Sequence, residues 1–204
     1  MIAHPRLGKT ILASVVIDEI MKCRSASVAF FYCKHKNTSG NTFITVARAI
    51  LAQLLRQNED LLPFLYERQA SSMEVVLESP RILAEILEVV CRSMEKAFIV
   101  VDGLDECEED ERKKILSWLK PTVESTHKEN PGCLRALFTS RDEGDIKRLL
   151  SKVTMKRVEG QDNYRDIQSY ADAWSLRIQR KFGLSDLGKV EISLKVSRKA
   201  QGTV

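Results

Sequence analysis

Three short segments of this chain carry residue types that could hold a phosphate group and a metal ion. The first is the tripeptide at residues 8–10, Gly-Lys-Thr, which runs directly into a helical pattern. There the ammonium of Lys9 can reach phosphate oxygens, the hydroxyl of Thr10 can help to hold Mg²⁺, and the helix N-terminus attracts the anion. Taken alone, the tripeptide is weak evidence, because chance and simple helix capping explain most such matches.

The second segment is an apolar run at residues 98–101 that ends in Asp102 and continues into further acids. A strand that presents a carboxylate at its carboxyl end can hold Mg²⁺ through water, because ligands of open parallel sheets bind at that end. Asp105 or Glu106, one turn further, could polarise an attacking water. The alternative is a core strand followed by an acidic loop.

The third segment is Phe-Thr-Ser-Arg at residues 138–141, at the end of another apolar run. The guanidinium of Arg141 could reach a terminal phosphate and report its presence. A strand that ends in arginine is common and says little alone. The three segments in this order are much harder to obtain by chance.

Short β-rich runs alternate with longer helical periods, which is typical of a layered α/β fold. In the first half of the chain, the pattern predicts a helix after Thr10 with Ile11, Leu12, Val15, Val16 and Ile20 on one face. It then predicts a strand at 27–32, a helix at 42–57, a helix beginning at Pro80, and a strand at 97–101.

The second half continues this alternation. It predicts a charged helix at about 109–119 that stops before Pro121, a polar loop at 124–133, a strand at 134–139, a short helix at 142–150 and an edge strand at 154–158. A helix capped by Asp162 or Asn163 then carries Ile167, Tyr170, Trp174 and Ile178 on one face. The weakly patterned, basic stretch 183–204 is either a frayed helix or disordered. These patterns divide the chain into a core at 1–160 and a helical extension at 161–204.

Composition excludes several classes of protein. With 204 residues, 44% hydrophobic and 29% charged, the chain is an ordinary globular protein. No apolar run approaches the roughly 18 residues of a membrane span, and the first residues resemble neither a signal peptide nor a transit peptide. We therefore expect a cytoplasmic protein without a membrane partner. The net charge of +4 is too small to indicate nucleic acid, which only the basic tail would favour.

The five cysteines and three histidines are scattered, without the spacing of a zinc site or a redox motif. They indicate reduced thiols in or near the core and no metal site of their own.

The strings Val-Asp-Gly-Leu-Asp-Glu-Cys (101–107), Ala-Phe-Phe-Tyr-Cys (29–33) and Leu-Phe-Thr-Ser-Arg (137–141) together resemble one family. It is the NACHT ATPase domains of fungal NOD-like receptors, in the versions related to the N-terminal region of nephrocystin-like proteins. The resemblance runs from about residue 7 to about residue 172. It implies a P-loop NTPase fold, a three-layer sandwich with a mostly parallel sheet, followed by a short helical extension.

The resemblance also implies a function, namely a STAND-class signalling switch. In such a switch ADP holds the protein closed, and ATP opens it and drives self-association or assembly with other receptor chains, in innate-immune-like or incompatibility signalling. Carried over to this chain, Pro5, Gly8, Lys9, Thr10 and Asp102 would bind ATP or ADP, with Thr10 and Asp102 holding Mg²⁺. The catalytic residues would be Asp105, Glu106 and Arg141, and hydrolysis would be slow.

Two features depart from the family. Its loop pattern is Gly-x-Pro-Gly-x-Gly-Lys-Ser/Thr, and here Ala3 and Arg6 replace two of the glycines that let the backbone approach phosphate. The strand that should precede the loop, in the middle of the sheet, also has almost no sequence left to form it. We therefore expect weak or absent nucleotide binding, and a second interpretation is a degenerate, non-catalytic fragment that serves as a protein-interaction module.

Overall fold

The computed structural model describes residues 2–3, 8–23, 25–72, 77–158 and 164–202. These form two compact units, one with residues 2, 8–23, 25–72 and 77–155 and the other with residues 3, 156–158 and 164–202. In chain order the elements are β1 (Ile2–Ala3), α1 (Lys9–Met21), β2 (Ser27–Tyr32), α2 (Phe43–Gln57), a 3₁₀ turn (Glu59–Leu61), α3 (Leu62–Ser72), α4 (Pro80–Ser93), β3 (Ala97–Asp102), a second 3₁₀ turn (Leu104–Glu106), α5 (Glu109–Glu129), β4 (Leu134–Phe138), α6 (Gly144–Leu149), β5 (Arg157–Val158), α7 (Tyr164–Phe182) and α8 (Asp186–Gly202).

The first unit is organised around a parallel sheet of three strands in the order β2-β3-β4. Ser27 lies opposite Ala97, which lies opposite Leu134, and the register holds to the far end, where Tyr32 is opposite Asp102. The carboxyl ends of all three strands therefore meet at one edge. Both faces of a parallel sheet are normally covered, and the almost wholly apolar β3 fits this. The architecture is mixed α/β, with the three predicted strands confirmed.

Helices cover both faces of this sheet. On one face α2, α4 and α5 form the larger core, in which Ile50, Leu87 and Leu119 are fully buried around the sheet residue Ile99. On the other face α1 packs against β2 and β3. The result is three layers, a helix, a sheet and three helices.

Two of the helices begin at the signals that the sequence carries. Thr42 precedes α2, and its side chain accepts a hydrogen bond from the N–H of Thr45. Ser79 does the same for the N–H of Ile82 in α4, with Pro80 at the first helical position. Both predicted helices are confirmed.

The first helix is confirmed as well, but its buried face differs from the predicted apolar one. Ala13 and Ile17 face the sheet and pack on Val28 and Val100, whereas Ile11 is 71% exposed. α1 is apolar around most of its circumference, so its hydrophobic periodicity alone could not select the face that touches the sheet.

The prediction that the charged helix stops before Pro121 is wrong, because α5 continues unbroken to Glu129. The expected loop at 124–133 is therefore helical over its first six residues. Proline removes one backbone donor, the partner of the Ser117 carbonyl. Packing outweighs that loss: Thr122 and Thr126 are buried beyond the proline, and Arg92 of α4 binds the side chain of Glu129.

Replacing Pro121 with alanine is therefore expected to stabilise the protein. An interior proline costs a helix about 3 kcal/mol. Alanine also gives the unfolded chain more conformational freedom, which offsets about 0.5–1 kcal/mol of the stability gained. We expect the free energy of unfolding in urea to rise by about 2–2.5 kcal/mol. Glu124→Ala, at another exposed position one turn on, is the control and should change it by less than about 0.5 kcal/mol. A Pro121→Ala variant no more stable than this control would contradict the explanation.

The remaining short elements differ in extent from their predictions. The helix expected at 142–150 is α6, shorter at both ends. The edge strand expected at 154–158 is reduced to β5, which pairs with β1 in a separate two-stranded sheet. Among the described residues, the larger sheet contains no strand from the segment before Gly8. β1 has two residues, fewer than the three to ten that strands usually have.

In the second unit, α7 and α8 pack on each other. The predicted helix after residue 163 is confirmed, and its proposed caps, Asp162 and Asn163, lie outside the described residues. Its buried positions are Ala171 and Ser175. The stretch expected to be frayed or disordered is a regular helix, α8, over residues 186–202.

Hydrogen bonds between serine and polar side chains explain α8. Ser193 donates to the carboxylate of Asp172 at 2.5 Å, and Ser197 donates to the amide oxygen of Gln168 at 2.9 Å. A helix that packs through buried serines carries little hydrophobic periodicity, so the sequence pattern missed it. No described helix has the length and apolar character that crossing a membrane requires.

Candidate functional site

The three predicted segments meet at the carboxyl edge of the parallel sheet. Asp102 is the last residue of β3, and Thr139 directly follows β4. Lys9 and Thr10 are the first two residues of α1, which lies against β2 and β3. Parallel strands bring residues that are distant in sequence to one edge, which is where open α/β sheets bind their ligands.

The carboxylate of Asp102 is the centre of the site. It is 4% exposed and accepts hydrogen bonds on both oxygens. Thr10 Oγ1 donates to Oδ2 at 2.7 Å, and Thr139 Oγ1 donates to Oδ1. The hydroxyl of Thr139 in turn accepts the N–H of Gly103 at 2.9 Å. A buried carboxylate needs such donors, so these hydroxyls hold it in one orientation.

Two glycines shape the backbone at this edge. Gly8 precedes α1 with φ 68°, and Gly103 begins the turn after β3 with φ 74°. Both lie in the left-handed region, which glycine adopts without the cost that a Cβ would bring. A Cβ on Gly103 would also lie 3.4 Å from the carbonyl oxygen of Cys33, whereas a Cβ on Gly8 would meet no atom of the described residues within 4 Å. Gly8 thus allows the left-handed turn that leads into α1.

The electrostatics of Lys9 show how the acids and cations of the site interact. Partial burial lowers the pKa of its ammonium from the usual value, and the charge of Arg141 lowers it further. The carboxylates of Asp105, Asp102 and Glu106 act in the opposite direction. The lysine therefore lies in the field of all three acids that the sequence singled out.

Arg141 lies on the acids of the turn that follows β3. Its Nε is 3.1 Å from Asp105 Oδ2, and its Nη2 donates to Glu106 Oε1 at 3.0 Å. Its backbone N–H also donates to Asp105 Oδ1 at 2.8 Å. The other oxygen of Glu106 pairs with His35 Nδ1 at 2.6 Å. In this structure the guanidinium thus binds Asp105 and Glu106, the two acids that were candidates for polarising an attacking water.

The structure adds residues that the sequence analysis did not select. Asn41 is 1% exposed and clamps the loop after β2, bonding both backbone groups of Lys34 and the carbonyl of Glu106. The thiols of Cys33 and Cys107 touch, with their sulfurs 3.4 Å apart. An asparagine in a polar loop carries no sequence signal for such a role. The two cysteines each follow an apolar strand closely, which is the only hint that they meet.

The candidate magnesium residues, Thr10 and Asp102, are brought into direct contact, and Lys9, Asp105, Glu106 and Arg141 surround them. Pro5, the remaining predicted phosphate-binding residue, lies outside the described residues. No cluster of three or more His, Cys, Asp or Glu side chains that could hold a metal occurs in the described ranges. A hydroxyl and one carboxylate nevertheless suit Mg²⁺, which keeps several waters and takes few protein ligands.

Comparison with protein families gave one finding. A family model described as nephrocystin 3, N-terminal, matches residues 1–141, more than half of the chain. The chain belongs to this family. All three segments of the nephrocystin 3 N-terminal region lie within the match, and Arg141 is its last residue. Comparisons with curated proteins and with solved structures gave no match.

Proposed function

We propose that this nephrocystin 3 N-terminal region is a nucleotide-binding module of the NACHT type, with a P-loop NTPase fold. Its ligands are ATP or ADP with Mg²⁺. The observation that carries the proposal is the 2.7 Å hydrogen bond from Thr10 to Asp102. It joins a helix-initiating Gly-Lys-Thr to the acid that ends a buried strand, the pairing that a phosphate-bound Mg²⁺ requires.

The donor set around this pair fits a nucleotide phosphate. α1 begins at Lys9, so its first N–H groups have no acceptor within the helix and can bind an anion. No atom of the described residues lies within 4 Å of the position that a Cβ on Gly8 would take, so those residues leave room there for phosphate oxygens. When bound, Mg²⁺ would neutralise part of the phosphate charge. The Thr10 hydroxyl and the Asp102 carboxylate would hold the ion, and Lys9 would bind the phosphate oxygens.

The ion pairs of Arg141 support a role as a switch. In this structure Arg141 is paired with Asp105 and Glu106, so the guanidinium and the two acids are engaged with each other. A terminal phosphate would compete with these carboxylates for the guanidinium, since arginine binds both anions in the same forked geometry. ATP would thereby release the acids and ADP would not, and hydrolysis would be slow because the acids return to Arg141.

The resemblance to fungal NACHT receptors extends this proposal to signalling. ATP would favour self-association or assembly with other receptor chains in the cytoplasm, and ADP would oppose it. Sedimentation of the chain with Mg²⁺-ATP, with Mg²⁺-ADP and without nucleotide measures this directly. A mass that rises only with ATP is the expected result.

The binding site itself is tested by thermal melting with and without Mg²⁺-ATP or Mg²⁺-ADP. A ligand at 100 times its dissociation constant adds roughly 2.7 kcal/mol to stability. Lys9→Ala removes a charged donor, worth about 1.5–3 kcal/mol, so we expect the dissociation constant measured by calorimetry to rise about 10- to 150-fold. Chelating Mg²⁺ should weaken binding in the parent as well.

Lys22→Ala is the matched control, because Lys22 lies at the other end of α1, where its ammonium pairs with the exposed Glu19. It should bind nucleotide as the parent does. A cooperative melt that nucleotide leaves unmoved in the parent would overturn the proposal and favour the protein-interaction module. Equal binding by Lys9→Ala and Lys22→Ala would show that the phosphate lies elsewhere.

A further inference from the structure

Two thiols beside the site are positioned to react with each other. Cys33 follows β2 directly, and Cys107 follows the 3₁₀ turn that carries Asp105 and Glu106. Their sulfurs are 3.4 Å apart although 74 residues separate them in sequence. Because the backbone N–H of Cys33 also donates to the carbonyl of Asp102 at 2.9 Å, the contact lies directly under the site.

The two thiols differ in access, which gives each a separate part in an exchange reaction. Cys33 is partly exposed, and Cys107 is 3% exposed. The outer thiol can therefore meet a reagent from solution, and the inner one can attack the product.

The other cysteines lack this combination. Cys91 is fully buried, and its burial raises the pKa of its thiol to about 12. Cys133 is buried in the same core. Cys23 is exposed, and its sulfur lies near the carbonyl of Glu19 in its own helical turn. Within the described part of the chain, Cys33 and Cys107 are the thiol pair whose contact is at hydrogen-bond distance.

We propose that Cys33 and Cys107 form a redox-active dithiol that is reversibly oxidised to an internal disulfide by small-molecule disulfides such as oxidised glutathione. The bond ties the loop after β2 to the acidic turn after β3. This modification site is independent of nucleotide binding, because it depends only on the contact between the two sulfurs. Disulfides in reducing compartments are typically transient or redox-sensing, which is the use proposed here.

The reaction balances as two thiol–disulfide exchanges. Cys33 loses its proton and attacks one sulfur of the reagent, breaking the reagent's S–S bond and releasing the first thiolate. Cys107 then loses its proton and attacks Cys33 Sγ in this mixed disulfide, releasing the second thiolate. The two released thiolates take up the two protons, so the dithiol is oxidised and the reagent disulfide is reduced to two thiols.

The disulfide would change the geometry of the acidic turn. An S–S bond is about 2.05 Å long, so the two sulfurs must approach from the present 3.4 Å. Cys107 directly follows Glu106, whose carbonyl is held by Asn41 and whose carboxylate binds Arg141 and His35. The disulfide would draw Cys107 toward β2 and tie the turn at 104–107 to it. Because the tied turn opens less often, its amide hydrogens should exchange more slowly after oxidation.

The test is peptide mapping of the full chain after equilibration with mixtures of oxidised and reduced glutathione. Tryptic digestion without reductant should yield the peptides at residues 25–34 and 97–112 joined, with a mass two hydrogens below their sum. Excess reduced glutathione should separate them. Cys33→Ser should abolish the linked pair, and Cys107→Ser should instead trap glutathione on Cys33.

Cys91→Ser and Cys23→Ser are the controls, and both should leave the linked pair unchanged. Linkage of other cysteines in place of this pair, or full alkylation of Cys33 and Cys107 after the most oxidising mixture, would overturn the proposal. A serine variant that fails to fold does not prevent the test, because mapping of the parent alone identifies the linked peptides.

Discussion

Replacing Thr139 with valine is expected to lower the free energy of unfolding by about 2–4 kcal/mol. The side chain is fully buried, and its hydroxyl donates to the Asp102 carboxylate while accepting the N–H of Gly103. Valine keeps the shape and removes both bonds. A hydrogen bond to a charged group is worth about 1.5–3 kcal/mol, and an unsatisfied donor adds about 1–3 kcal/mol where it is buried. Urea denaturation followed by circular dichroism measures the change.

Thr126→Val is the matched control for this prediction. Thr126 is also buried, but its hydroxyl bonds only the carbonyl of Thr122 within its own helix. In the variant the Thr122 carbonyl still accepts a backbone hydrogen bond within α5. The control should therefore lower the free energy of unfolding by less than about 1 kcal/mol. Equal losses in the two variants would mean that the Asp102 network contributes nothing beyond ordinary burial. The same comparison with Mg²⁺-ATP present separates the structural role of Thr139 from any effect on the ligand.

Replacing Leu87 with alanine is expected to lower the free energy of unfolding by about 2–5 kcal/mol. Leu87 in α4 is fully buried in the larger core, which α4 forms together with α2 and α5. Alanine removes apolar contacts and leaves a cavity that the surrounding helices can close only in part. Chemical denaturation at constant m-value measures this loss directly.

Val89→Ala, two residues on in the same helix, is the control for that cavity. Val89 is 42% exposed, so truncation removes little buried surface. We expect a change of less than about 1 kcal/mol. If Leu87→Ala costs no more than Val89→Ala, then α4 does not pack into the larger core as the structure shows.

The elements that the sequence predicts best are those whose local signals and packing agree. The strands at 27–32 and 97–102 are apolar and β-branched or aromatic; the first has the predicted bounds, and the second ends one residue later than predicted. The helices at 43–57 and 80–93 follow serine or threonine caps, and both carry a wide apolar stripe. In each case one periodicity and one boundary signal lead to the same structure.

The elements that the sequence predicts poorly are those in which packing overrides a local rule. Pro121 would end an isolated helix, but the buried face beyond it holds α5 together. The helix at 186–202 lacks an apolar stripe because its buried contacts are serine hydroxyls, such as that of Ser193 on Asp172. Which face of α1 meets the sheet also depends on β2 and β3, and not on α1 alone.

The candidate site shows the same division. Residue types and spacing were enough to select Lys9, Thr10, Asp102 and Arg141, because phosphate and Mg²⁺ chemistry needs those groups at strand and helix ends. Sequence could not show that Arg141 binds Asp105 and Glu106, since a strand-terminating arginine can point to either a ligand or an acid. The sequence likewise did not predict the role of Asn41 or the contact between Cys33 and Cys107.

By itself, the sequence determined the alternation of strands and helices, the relation to nephrocystin-like N-terminal regions, and which residues are candidates for binding phosphate. These depend on composition and on spacing along the chain, which local physics controls. Only the tertiary structure decided which of these groups touch. The parallel register places Tyr32 beside Asp102 and Val101 beside Phe138. The packing of α1 on that sheet then joins Thr10 to Asp102, 92 residues further along the chain, and no local pattern encodes such a distance.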